Sequence, residues 1–200
     1  MSFFRTLAYL SPLIIGFGLP AALALTTGKP PKHRAIAAGA VVGAVLLLLL
    51  LASFAESALL WFPLALLLLS LAILVAGIHL LCESARAPRE VSQIVAGLVV
   101  CFLMATLFCF GPIIRNSADA GASGPAIYAR ITLAMDVNPF SVMAYSIFET
   151  DLLLVPYFYR TDLAGFQHGR PTWGATSAGY ALTGAALAAV GLGLRRALKR

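Results

Sequence analysis

Charge is what this chain has least of. Of its 200 residues only 11% are Asp, Glu, Lys or Arg, and eight are acidic. An ordinary soluble domain carries about 25%. No stretch is polar for long enough to supply a separate aqueous catalytic domain. Cysteine is scarce as well. Cys82, Cys101 and Cys109 all lie in apolar segments, and an odd number without framework spacing excludes a disulfide scaffold. No GxxxxGK[ST], HExxH or GxSxG occurs, so nucleotide binding by a P-loop and the common hydrolase chemistries have no carrier here. His33, His79 and His168 fall in different segments. His79 and Cys82 share a helical face, but Cys109 would stand about 28 Å of helix away from the start of its own span. We therefore expect no enzyme activity, no cofactor and no metal site.

What is abundant is apolar surface. Hydrophobic residues make up 60% of the chain, and the mean hydropathy is +0.93. A spanning helix needs roughly 20 apolar residues, at about 1.5 Å of rise each across about 30 Å of hydrocarbon. Five runs qualify: 6–25, 35–54, 58–82, 93–114 and the Gly- and Ala-rich 174–194. The fold class expected is an all-α integral membrane protein, one polytopic domain over 1–200. It has about five transmembrane helices and a re-entrant or interfacial helical hairpin before the last span.

The net charge of +6 does not indicate nucleic acid, because the cations flank apolar spans instead of forming a stripe. Five spans put the termini on opposite sides. One side then holds Lys29, Lys32, Arg34, Arg86, Arg89, Arg195, Arg196, Lys199 and Arg200. The other holds Arg5, Arg115, Arg130, Arg160 and Arg170. The positive-inside bias makes the first side cytoplasmic, with the N-terminus outside and the C-terminus inside. Trp61, Phe62, Tyr157, Phe158, Tyr159 and Trp173 would lie at the outer interface, where amphipathic rings are favoured. The competing reading of the first run is a cleaved signal peptide ending at Ala22-Leu23-Ala24. It requires the N-terminus inside, against the basic joint GKPPKHR (28–34).

Residues 115–173 form the expected outer loop. It opens with the turn-rich NSADAGASGPA (116–126), followed by a short interfacial helix in YARITLAMDV (128–137). Then comes MDVNPFSVMAYSIFETDLLLVPYFYR (135–160), apolar yet carrying Glu149 and Asp151 between Pro139 and Pro156. Asn138-Pro139 reads as a helix start: Asn caps free backbone N–H groups, and Pro needs no donor in the first turn. FSVMAYSIF supplies about two and a half turns. Glu149-Thr150-Asp151 interrupts them, and Pro156 ends the second half. A full crossing would bury both carboxylates, at about 2.5–3.5 kcal/mol each. A hairpin avoids that. The alternative is a sixth span over 140–159, which would spoil the charge bias. Glu149 and Asp151 are either solvated at the interface or bind an ion or proton.

An Asn-Pro start, a broken apolar hairpin, Trp173, a small-residue last span and the tail RRALKR (195–200) together resemble the permease subunits of type-2 ABC transporters. The likeness is strongest over the C-terminal third. VNPFSVMAYSIF (137–148), ETDLLLVPYF (149–158), PTW (171–173) and 174–200 match the family's two short re-entrant helices and last span. The resemblance implies a non-enzymatic, membrane-spanning subunit of an ATP-driven exporter in the bacterial inner (plasma) membrane. Its partners would be a separate nucleotide-binding ATPase and a second permease chain. Asn138, Pro139, Glu149, Asp151 and Pro156 would form the outer hairpin, and Lys29, Lys32 and Arg34 the joint that meets the ATPase. The family's N-terminal amphipathic helix and first span have no counterpart here. The alternative reading is a non-catalytic accessory or scaffold subunit of a larger membrane complex.

Overall fold

A computed structural model of the chain describes residues 3–53, 58–150 and 169–198. Seven α-helices run through them, and there is no strand among the described residues. In order they are α1 (Phe3–Leu25), α2 (Pro31–Ala52), α3 (Trp61–Ser84), α4 (Arg89–Asp119), α5 (Gly124–Asp136), α6 (Pro139–Val142) and α7 (Trp173–Ala197). A 3₁₀ turn (Ala58–Leu60) leads into α3, and a π-helical turn (Met143–Ile147) follows α6. Five of the helices, α1 to α4 and α7, are long and apolar enough to cross a membrane. Their bounds lie within a few residues of the five runs read from the sequence. The chain is an all-α, multi-pass membrane protein.

The described residues divide into two compact units. The first comprises Met1–Cys101 and Ser177–Arg200. Its centre is α3, most of whose apolar window is buried, while α2 is the most exposed of the spans. Small residues set the approach of the helices. A Cβ on Gly77 of α3 would meet the carbonyl of Gly184 on α7. A Cβ on Gly184 would in turn meet the Ile73 and Leu74 backbone. Such backbone-to-backbone crossings replace the hydrophobic drive that lipid cannot supply. Gly16 of α1 likewise lies against Val100 of α4.

Pro12 sits inside α1 and cannot donate to the Ala8 carbonyl four residues earlier. The buried Ser11 hydroxyl donates to that carbonyl instead, at 2.6 Å. Helix α3 ends by the Schellman pattern. Arg86 N–H bonds the Glu83 carbonyl and Ala87 N–H the Cys82 carbonyl, with Arg86 itself at φ 60°.

The second unit is Phe102–Thr176. Here the expected loop 116–126 is corrected. Helix α4 continues through Asp119. An Arg115–Asp119 ion pair at i, i+4 and a Ser117 hydroxyl bonded to the Ile113 carbonyl sustain the added turn. Gly121 then stops the helix at φ 84°, again with Schellman bonds, from Gly121 to Ala118 and from Ala122 to Ser117. The connection shrinks to 120–123. Helix α5 begins before the expected 128, with Pro125 in its first turn.

Candidate functional site

The site is built where α5 stops. Asn138 is extended, at φ −97° and ψ 110°, and its Oδ1 accepts from the backbone N–H of Phe140 at 2.9 Å and of Ser141 at 3.1 Å. It is the N-cap that the sequence predicts, with Pro139 in the first helical turn. The same side chain does something the sequence did not disclose. Its Nδ2 donates to the Met104 carbonyl at 2.9 Å, and Met104 lies halfway along α4. Asn138 is 1% exposed, so its polar atoms must be paired inside protein, and these three bonds do it. A second anchor lies beside it: Thr106 Oγ1 donates to the Ala134 carbonyl at 3.1 Å. Helix α5 thus turns at 120–123 and runs back along α4. It delivers the Asn-Pro step beside the middle of the apolar run 93–114.

The start of α7 closes the arrangement. Thr176 Oγ1 donates to the Asp136 carbonyl at 2.8 Å, and the Trp173 N–H donates to Ser146 Oγ at 3.2 Å. The Asp136 carboxyl has its pKa raised from the ordinary value. Burial is the main cause, and a backbone hydrogen bond from Thr172 opposes it. Ser141 is fully buried, and its hydroxyl finds no partner among the described residues.

After α6 the helix widens. Phe148 N–H bonds the Met143 carbonyl at 2.8 Å, a π-type step. Glu149 follows at φ 50°, a left-handed conformation that ends any right-handed helix. A single continuous helix over 140–159 is therefore broken at Glu149, which removes the sixth-span alternative in that form. Glu149 is exposed. Asp151 and Pro156, with the second half of the expected hairpin, lie outside the described residues.

The basic joint sits in the first unit and is not uniform. Lys29 and Lys32 are exposed. Arg34 is taken up by a two-pronged ion pair with Glu83 at the end of α3, both contacts 2.9 Å. Glu83 also receives Arg195 of α7 at 3.1 Å. One carboxylate therefore ties together the start of α2, the end of α3 and the end of α7. This is the grouping that the charge count assigned to one side. Of the three cations expected to meet a partner, Lys29 and Lys32 are exposed, while Arg34 is ion-paired within the first unit. Glu83 was missed as a site residue; its signal was a lone acid at a span end among cations. His79 is partnered by Ser92, whose Oγ lies 2.6 Å from Nδ1. No group of three or more metal-ligating side chains occurs among the described residues.

Comparison with protein families, characterised proteins and solved structures finds no match to this chain.

Proposed function

We propose that the chain is a permease-like subunit of an ATP-driven exporter of the type-2 ABC kind, acting in the bacterial inner membrane. The observation that carries this is the Asn138 anchor. A short capped helix and a π turn, placed between the penultimate and last spans, are bonded to the midpoint of α4. That position suits a re-entrant element better than a surface loop. Non-helical backbone at membrane depth is tolerated only when protein or a water-filled cavity covers it, and the Asn138, Thr106 and Thr176 bonds provide protein cover. In this reading the basic end faces the cytoplasm, and the N-terminus is outside. A separate ATPase meets Lys29 and Lys32, and a second permease chain completes the pathway. The exposed faces of α2 and α7 suit assembly with further helices. They suit equally the second reading, an accessory subunit of a larger membrane complex.

The test is purification of the tagged chain from its native membrane in mild detergent, with mass spectrometry of what stays bound. A stoichiometric ATPase, lost when Lys29 and Lys32 are both replaced by Glu, is the expected result. A large assembly without any nucleotide-binding subunit would replace the exporter reading by the accessory one.

A further inference from the structure

An open groove of about 460 Å³ runs between α1, α2 and α3. Leu19, Ala38, Gly39, Gly43, Ala72 and Ala76 are among the residues that line it, and no polar side chain does. Small residues make it: added Cβ atoms on Gly39 and Gly43 would meet nothing within 4 Å. From Ala38 to Leu46 on α2 the groove is about 12 Å long, at about 1.5 Å per residue.

Its ends differ. At the end nearer the start of α2, Arg34 lies one turn below Ala38, and its ion pair with Glu83 bridges α2 to α3. Arg195 joins the same carboxylate. Lys32 stands seven residues before Gly39, on the same face of α2. It is exposed and has no ion-pair partner among the described residues. Arg34 and Arg195 thus share one acid, and Lys32 stands exposed near the same end of α2.

We propose that this groove and its cationic end bind one anionic phospholipid, with an acyl chain along Gly39 and Gly43 and the phosphate at Lys32 and Arg34. Charge selects the occupant. A helix from another chain would fill the groove but leave the surplus positive charge unmatched, and a zwitterionic lipid would fill it without neutralising that charge. Each Lys or Arg near an anionic lipid surface strengthens binding by roughly fivefold. Glu83 is the positioning residue, holding the Arg34 guanidinium at the mouth.

The test uses the full chain, delipidated in mild detergent, with retained lipid read by native mass spectrometry. Phosphatidylglycerol and phosphatidylcholine of identical chains are titrated in parallel. Phosphatidylglycerol should be retained several-fold better. Lys32→Ala should lower its retention about fivefold and leave phosphatidylcholine unchanged. Gly43→Leu puts a side chain into the groove from a position where an added Cβ meets nothing within 4 Å, so it should lower retention of both lipids, and an unchanged melting temperature of the lipid-free chain shows that the fold is kept. Equal retention of the two lipids by the unaltered chain would overturn the proposal. So would glycerol phosphate displacing phosphatidylglycerol at equal concentration, since the acyl chain would then be idle. A Gly43→Leu variant that changes the oligomeric mass but not lipid retention would assign the groove to a second copy instead.

Discussion

At the scale of single residues, the membrane interior makes each unpaired backbone group expensive, and hydroxyls and amides here repair such gaps. Ser11 is the clearest case. Pro12 leaves the Ala8 carbonyl without its usual donor, and the buried Ser11 hydroxyl supplies one. Ser11→Ala should therefore destabilise the chain by about 1–2 kcal/mol, read as a lower melting temperature in detergent. In a Pro12→Ala background the backbone N–H returns, and the same substitution should then be nearly neutral. An equal loss in both backgrounds would mean that Ser11 acts through packing alone. Asn138 shows what sequence can and cannot disclose at this scale. Its capping role was legible, because Asn-Pro before an apolar run is a local signal. Its bond to the Met104 carbonyl was not, because a donor reaching across to another helix leaves no mark on spacing. Arg34 is similar: a cation in a basic joint looks free until the acid that holds it, 49 residues away, is placed beside it.

At the scale of elements, span positions were legible because an apolar run of the right length has few other uses. Helix ends were less so. Polar Asn116–Asp119 reads as loop, yet a helix already 27 residues long at Arg115 extends easily until Gly121 caps it. The pairing of α3 with α7 was half visible. The Gly- and Ala-rich run 174–194 permits close approach, but Gly77, inside the leucine-rich α3, gave no sign of being its partner. Gly184→Ala puts a methyl against the Ile73–Leu74 backbone, which cannot give way as a side chain can. Overpacking of this kind costs typically 1–3 kcal/mol, and we expect the upper end. Gly179→Ala, where a Cβ meets nothing within 4 Å, is the matched control and should change the melting temperature little or raise it, since Ala is the better helix former. If both substitutions are silent, the α3–α7 crossing is looser than the structure shows.

At the scale of the whole molecule, the open question is which way the chain faces. Glu83 gathers the start of α2, the end of α3 and the end of α7, so these three ends share one side irrespective of orientation. On the proposed reading, the surplus of cations there would put that side in the cytoplasm by the positive-inside bias. Helix α4 then leaves from the same side at Arg89 and rises about 46 Å to Asp119, more than a hydrocarbon core of about 30 Å requires. Single cysteines at Lys29 and Ala120, both exposed positions, test this in a chain whose Cys82, Cys101 and Cys109 are replaced by Ala. With an impermeant thiol reagent on intact cells, Ala120→Cys should label at once and Lys29→Cys only after permeabilisation. The reversed pattern would put Lys29 and Lys32 outside, where no ATPase can reach them. The exporter reading would then fall, while the groove and its cations, which depend only on contacts within the first unit, would still offer their site to the opposite leaflet. Labelling of both from one side would contradict α4 as a span and with it the count of five crossings.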